Sequence, residues 1–459
     1  MEHTNQAVAS VSASAQSESL AEIWNMQKNA NYIDKNFPLF LSVFETAKIP
    51  ILFVYPFLSF FFIQFIIVSI WPWNQYWESQ PDQHIMKWLR TVLYFVPQPA
   101  EPTYYLIVSI VIFIINMSIL IIIECQLFYY KLQRKFIIAL NYPVRLYFDA
   151  VLVATITPAI IGTGETFVLL CHGNTNYMII ISFILYALSV AYESYSFFIV
   201  QNFASKSICV NVSPLLNFDP TLMIMTLLTM LICILPYFLL TIFEYWVQLI
   251  SIGLHIILNL YLFYYTCANL PYVDILTMAL GVGWYSGCIF GDVTLVAGTF
   301  VNSMSYKIPL YGSIAVFVGL TGPALLFFII RIKAVKKQLD VDYIKQDEAN
   351  NYYTELGLDK NQNKALCYLK IAFQNYCPSF YNWTLIIFLM EHYETETVIS
   401  LCLQLLTFFP KETRLQNRLE RMLSKRRTLT FQTRYLIFQI QTLKSLRQFD
   451  ARLKSNSNS

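Results

Sequence analysis

From Ile308 to Ile330 the chain runs IPLYGSIAVFVGLTGPALLFFII without one charged side chain. A helix of that length, rising ~1.5 Å per residue, spans the ~30 Å hydrocarbon layer of a bilayer, where backbone must satisfy its own hydrogen bonds. Arg331, Lys333, Lys336 and Lys337 follow at once. Carrying several cations across a bilayer is costly, so such a cluster stays on the cytoplasmic side. The sequence therefore predicts a last crossing here, a tail in the cytosol, and a joint through which the membrane half acts on the soluble half.

Charged residues are 13% of the chain, against about a quarter in soluble domains, and hydrophobic residues reach 56% with 36 Phe and 31 Tyr. An ordinary soluble protein is excluded; the chain reads as an all-α polytopic protein in contact with a lipid bilayer. The net charge of +3 conceals an asymmetry: Arg331 to Ser459 holds 20 Lys/Arg against 12 Asp/Glu, and the preceding part 11 against 16. The nine cysteines include no C-x-x-C pair, which suits small buried residues better than a zinc site or a disulfide framework.

Residues 1–20 are rich in Ser, Ala and Gln with no apolar core, so disorder is expected and the first crossing must serve as the targeting signal. Residues 21–48 mix Ile23, Trp24, Phe37, Leu39, Phe40 and Phe44 with Lys28, Lys35 and Lys48. That pattern predicts a cytosolic or interfacial amphipathic segment, with packing beneath the bundle as the other reading. The multi-pass bundle fills 49–330. About eight crossings are expected, at Ile49–Ile70, Tyr104–Ile123, Leu146–Leu170, Tyr177–Val200, Thr221–Phe243, Val247–Cys267, Tyr272–Gly291 and Ile308–Ile330. Lys131, Arg134, Lys135 and Arg145 lie in one connection and Lys206 in another on the same side, against Lys87, Arg90 and Lys307 opposite. Both termini are thereby assigned to the cytosol, with the plasma membrane as the expected location. Trp71, Trp73, Trp77 and Trp88 in the first outer loop are expected at the outer interface, where indole finds both an apolar and a polar neighbour.

Gly283, Gly287 and Gly291 recur at four-residue spacing, and Gly312, Ala315, Gly319 and Gly322 form a second strip in the last crossing. Such strips let another backbone approach closely, within the chain or across a homodimer. Pro323 removes one intrahelical hydrogen bond and crowds the Gly319 carbonyl, so a bend, and a candidate hinge, is expected there. Ionisable side chains in a bilayer are functional candidates because each is expensive unless paired or wetted. They are Asp149 and Glu193 in the cytoplasmic half of neighbouring crossings, Glu165 and Asp292 near outer ends, and His255 near mid-depth, with no Lys or Arg at depth beside them. Pro158, Gly162 and Gly164 predict a break in the third crossing and the glycines one in the seventh. Matching interruptions in two halves of four are an arrangement that transporters use.

After Lys337 the pattern changes to short helices, and 331–455 reads as a cytosolic helical-repeat region with a disordered end at 456–459. Gly357 and Pro410 act as stops, Ser379 as an N-cap, and apolar residues keep a 3.6 period. Unit starts at Gln362, Thr395 and Thr430 are 33 and 35 residues apart, the size of a tetratricopeptide helix pair. Such a stack is a binding device for a protein partner rather than a catalyst. Lys411 to Lys454 carries 12 basic residues against Glu412, Glu420 and Asp450, a balance suited to anionic lipid or an acidic partner; nucleic acid is not expected beside a bilayer.

The stretch PSFYNWTLIIFLMEHYETETVISLCLQLLTFFPKETRLQNRLERMLSK, Pro378 to Lys425, followed by TFQTRYLIFQI, resembles the helical-repeat region of the tiny macrocysts B and C type proteins. In related protist membrane proteins a similar segment continues into a PAS domain and a nucleotide cyclase domain. The resemblance implies a membrane sensor region followed by a helical repeat and a signalling output. This chain ends at Ser459 before any output domain, so no catalytic, cofactor-binding or metal-ligating residue is assigned. The expected function is that of a non-enzymatic membrane sensor or scaffold acting through a signalling partner. The alternatives are a transporter or channel that uses Glu165 and Asp292, and a truncated nucleotide cyclase.

Overall fold

The structure, a computed structural model, describes residues 32–70, 83–96, 101–133, 135–206, 245–272, 274–300, 307–339, 345–372, 380–393, 395–408, 413–424 and 433–441, with single positions at 222, 225, 226, 228, 229 and 232. Its elements are helical. In chain order they begin with α1 (Tyr32–Thr46), α2 (Ile51–Ile70), α3 (Gln83–Tyr94), α4 (Pro102–Gln133) and α5 (Ile138–Leu146). A π turn (Tyr147–Val151) then leads into α6 (Leu152–Cys171), followed by α7 (Tyr177–Lys206), α8 (Tyr245–Asn269), α9 (Ile275–Phe300) and α10 (Lys307–Leu339). The tail adds α11 (Gln346–Glu355), α12 (Gln362–Ala372), α13 (Phe380–His392), α14 (Glu396–Phe408) and α15 (Thr413–Ser424).

Seven helical stretches among the described residues are long and apolar enough to cross a membrane: Leu52–Ser69, Pro102–Gln133, Ile138–Cys171, Tyr177–Phe203, Leu249–Asn269, Ile275–Gly298 and Lys307–Leu339. They coincide with seven of the eight predicted crossings, and the make-up is that of an integral membrane protein. The eighth, Thr221–Phe243, lies outside the described residues apart from isolated positions, as do Trp71, Trp73, Trp77, Ser379 and both chain ends.

The bundle is organised around the third of these stretches. Its apolar window is 78% buried, against 17% for α10. Neighbours cover α6 on several sides: α2, α3, α4 and α7 all pack on it. Gln64 of α2 helps to seat it, donating to the Leu93 carbonyl at 2.6 Å and to the Ala154 carbonyl at 3.4 Å. Ala154 is four residues before Pro158, whose missing N–H leaves that carbonyl without its usual helical donor. On the other side α2 meets α9 through rings: Phe62 stacks on buried Trp284 at 5.0 Å, with Phe65 at 5.5 Å and Phe61 at 6.0 Å.

α1 is not a surface helix. Phe37, Leu39, Phe40, Leu41, Val43 and Phe44 are all buried, against α4, α5 and α7, so this part of the 21–48 segment packs on the bundle, while Ile23, Trp24 and Lys28 lie outside the described residues. A polar latch holds this corner: Gln126 donates to the Ile137 carbonyl and Asn141, accepts from the Ile137 N–H, and Asn141 donates on to Ser42 and Thr46. Turns obey local chemistry. α6 ends with Gly173 at φ 77, and the Asn174 N–H reaches back to the Leu169 carbonyl. Asn176 then caps α7 through the Met178 N–H, and Asp274 caps α9 through the Thr277 N–H.

One buried apolar cluster runs from α1 through the bundle into the tail, as far as Leu436 and Ile440. Within the tail α13 is the hub, packed on α11, α12, α14 and α15, with Leu385, Ile386, Phe388 and Leu389 fully buried. Its edge is tied by Tyr353 to Thr384 at 2.9 Å and by an Arg418–Glu391 ion pair.

Candidate functional site

The ionisable residues singled out in the sequence fall into two buried polar groups. The first lies where α4, α6 and α7 meet. On α4 the inward positions are Tyr105, Ser109, Ile112, Asn116, Ile119 and Ile123; on α7 they include Ser182, Tyr186, Ser189, Glu193 and Ser196. These fall at alternating four- and three-residue intervals, so in both helices one stripe faces the neighbour. On α7 that stripe is polar while the outer face carries Ile180, Ile181, Ile184 and Leu188, an arrangement suited to lipid outside and hydrogen bonding inside.

Glu193 sits in this stripe with no exposed surface. Its Oε1 accepts from Asn116 Nδ2 at 3.1 Å and lies 2.8 Å from the Thr155 hydroxyl. Asn116 Oδ1 in turn accepts from the Tyr147 hydroxyl at 2.8 Å. Tyr147 and Thr155 are eight residues apart, which in a plain α-helix would set them about 80° apart around the axis. The π turn closes with the Leu152 N–H bonded to the Tyr147 carbonyl, five residues back. It absorbs one residue and reduces the offset to about 20°, so both side chains serve one network. Nearer the other end of α6, Glu165 accepts from the Tyr105 hydroxyl at 2.6 Å.

Asp149 lies in the same π turn and pairs with Arg145 Nε at 2.5 Å, both side chains buried, the guanidinium resting over the Phe44 ring. This corrects two expectations. Arg145 is not a loop cation, because the helix begins at Ile138 rather than Leu146. A buried cation does therefore stand beside one of these carboxylates. Nor is the third crossing broken at Pro158 and Gly162: α6 is continuous from Leu152 to Cys171 and its irregularity is the π turn before it. Gly162 serves close packing instead, since a Cβ there would come within 2.5 Å of the Tyr186 ring.

The second group joins α8 to α9. His255 Nδ1 is 2.6 Å from Asp292 Oδ2, and His255 Nε2 is 3.0 Å from Asn259 Nδ2. Asn259 Nδ2 also donates to the His255 carbonyl at 3.0 Å, which fixes the amide orientation, because an oxygen turned that way would oppose the carbonyl. With the amide so turned, Nε2 accepts from Asn259 and Nδ1 faces the Asp292 carboxyl. α9, like α6, is continuous through its glycines, which corrects the expected break in the seventh crossing.

The glycine strips divide. α9 and α10 form the most extensive helix pair of the bundle. A Cβ on Gly283 would lie 2.6 Å from the Phe317 carbonyl oxygen, one on Gly287 3.0 Å from that of Ser313, and one on Gly312 within 2.8 Å of the Phe290 ring. Gly291 is buried on the same helix. Gly319 and Gly322 have nothing within 4 Å of such a Cβ among the described residues, so they take no part in the packing described here. α10 runs unbroken through Pro323.

At the tail end, Arg331 Nη2 donates to the Ala268 carbonyl at 2.6 Å, in the last turn of α8, where carbonyls lack helical partners and a cation is favoured. Tyr368 of α12 donates to Gln338 Oε1 at 2.8 Å and Tyr352 of α11 to the Gln338 carbonyl at 3.2 Å. The Cys367 thiol meets the carbonyl of buried Leu270 in the α8–α9 turn at 3.8 Å. The tail is thus docked on the bundle, not tethered to it.

Sequence reading missed Asn116, Tyr147, Thr155 and Asn259; the polar stripe on α7 was the signal that could have found the first three. No cluster of three or more His, Cys, Asp or Glu able to hold a metal occurs among the described residues. Comparison with known proteins returns no matching family model, no matching curated protein and no matching solved structure.

Proposed function

We propose that this chain is a non-enzymatic multi-pass membrane sensor or scaffold whose helical tail passes changes in the bundle to a signalling partner in the cytosol. The observation that carries this reading is the end of α10. One helix leaves the bundle at Arg331, is tied there to α8, and is gripped at Gln338 by Tyr352 and Tyr368 of the tail. A shift of α10 against α8 therefore reaches α11 and α12 through direct contacts. The starts of α11, α13 and α15, at Gln346, Phe380 and Thr413, are 34 and 33 residues apart, which supports a tetratricopeptide-like stack framed one helix earlier than the sequence suggested. Exposed Lys333, Lys336 and Lys337 support a cytosolic tail close to anionic lipid, and the outward Gly319 and Gly322 support contact with a second copy. The likeness of Pro378–Lys425 to the tiny macrocysts proteins supports a signalling role.

Hydrogen exchange on the full chain in lipid nanodiscs tests the coupling. Replacing Arg331 by Ala should raise exchange in α12 and α13 while α2 and α6 stay protected. If the tail is indifferent, the coupling is wrong; turnover of a substrate by the purified protein would remove the word non-enzymatic. The second reading, a transporter, is favoured by the buried Glu165 and the His255–Asp292 pair. Ion flux in proteoliposomes that is lost in Glu165→Gln or Asp292→Asn would replace the sensor reading.

A further inference from the structure

Glu193 is unlike Asp149 and Asp292, the buried acids of the bundle that face a basic side chain. Asp149 has Arg145 and Asp292 has His255, whereas the groups that bond Glu193 are the uncharged Asn116 and Thr155. Among the described residues only one of its oxygens is engaged. Oε2 is buried and has no hydrogen-bond partner among the described residues, and Ser189, one turn away on the same face, has a buried hydroxyl in the same condition. The titratable groups around Glu193 are the phenols of Tyr147, from the π turn, and Tyr192, on its own helix. α4 presents Asn116 and α6 presents Thr155; α1 and α14, which also touch α7, bring no ionisable group to bear on it among the described residues.

A permanent negative charge in such a place is costly, because among the described residues nothing beside it carries the opposite sign. A metal cation is a poor match. It needs several oxygen acceptors converging on one point, and what converges on Oε1 is an N–H and an O–H, while Asn116 Oδ1 is already occupied by the Tyr147 hydroxyl. A single proton needs only one free oxygen. We propose that Glu193 is a proton-binding site of the α4–α6–α7 interior. The O–H bond forms at Oε2 with a proton taken from water, the carboxylate becomes a neutral acid, and Oε1 stays against Asn116 Nδ2 and the Thr155 hydroxyl, whose one proton is shared with the Val151 carbonyl at 3.0 Å. Those donors bond more strongly to the carboxylate than to the acid, so they lower the affinity for the proton and keep the site releasable. Asn116 and Thr155 are positioning residues in this scheme.

Infrared difference spectroscopy of the full chain in nanodiscs, titrated from acid to alkali, tests it. The wild type should lose a protonated-carboxyl C=O band on alkaline titration that Glu193→Gln lacks throughout. Thr155→Val, which keeps the acid and removes one donor, should bind the proton roughly ten- to a hundred-fold more tightly, the worth of a hydrogen bond to a charged group. Should Glu193→Gln fail to fold, the Thr155→Val midpoint decides alone: an alkaline shift supports the site and an unchanged midpoint overturns it. The same carboxyl bands in wild type and Glu193→Gln would also overturn it. So would a midpoint that moves when choline chloride is exchanged for NaCl or KCl at constant ionic strength, which would assign the oxygen to a metal cation.

Discussion

Replacing Gly283 and Gly319 by alanine, one at a time, separates the packing of α9 on α10 from every other effect of adding a methyl group. Both glycines lie inside helices, so the gain in helix propensity, up to ~1 kcal/mol, is common to both variants and cancels in their difference. What remains is the contact. At Gly283 the new Cβ would stand 2.6 Å from the Phe317 carbonyl oxygen, a backbone atom that cannot rotate away, with the Thr321 hydroxyl also against it. A comfortable C···O separation is ~3.3 Å or more, so α10 has to retreat by roughly half an ångström or more along the most extensive helix contact of the bundle. Overpacking of this kind costs ~1–3 kcal/mol. At Gly319 the same methyl meets nothing within 4 Å. Gly283→Ala should therefore be ~1–3 kcal/mol less stable than Gly319→Ala in reversible detergent unfolding of the full chain, followed by the fluorescence of tryptophans that include Trp284, next to the substituted residue. Equal stabilities would refute the α9–α10 register. A greater loss at Gly319 would mean that the outward strip of α10 is covered, as a homodimer would cover it, and cross-linking through that face would then be expected.

Three further outcomes follow from the geometry. His255→Ala removes the imidazole that faces buried Asp292, and Asp292→Ala removes the carboxyl that faces His255 Nδ1; each should cost ~3–5 kcal/mol, and the double variant should cost less than the sum in a mutant cycle. Gly357→Ala should lower the stability of the tail by ~1 kcal/mol, seen as faster hydrogen exchange in α11 and α12. The reason is that Gly357 closes α11 at φ 69 with the Leu358 N–H bonded to the Tyr353 carbonyl, and an L side chain is disfavoured there. Cys402 is fully buried in α14, and burial pushes its thiol up, so a maleimide should leave it unmodified until the tail unfolds; early labelling of Cys402 would contradict the packing around α13.

The crossings were legible because an apolar run is itself the signal: nothing about α2 or α10 depends on its neighbours for recognition. The tail helices were nearly as clear, since Gly357 announces a helix end by its own chemistry, and α13 carries the apolar residues that make it the hub. The sites were only half legible. Glu193, Asp149, His255 and Asp292 stand out in any apolar helix, but their partners do not. Asn259 is a single amide in a membrane helix, and Thr155 is one hydroxyl among many. Tyr147 joins Thr155 on one face only because a π turn intervenes, and no residue type advertises that turn. The two glycine strips were indistinguishable by spacing, and only the rotation of α10 decides that Gly312 packs while Gly319 and Gly322 look outward.

Arg145 shows how a local reading fails with consequences at the level of topology. Counted as a loop cation, it added to the positive charge that orients the chain. In the structure it is buried in the helix and neutralised by Asp149 four residues on, so it contributes no net charge to that side. The expected orientation then rests on Lys131, Arg134, Lys135 and Lys206 and, above all, on the cluster after Arg331. Arg331 itself is engaged with the end of α8, while Lys333, Lys336 and Lys337 remain exposed on α10. Three free ammonium groups at the end of the last crossing are a stronger determinant than a paired guanidinium inside the bundle, because only a charge that must be carried unpaired through the bilayer resists translocation. The correction at Arg145 therefore leaves the expected orientation of the tail intact and moves its physical basis to α10.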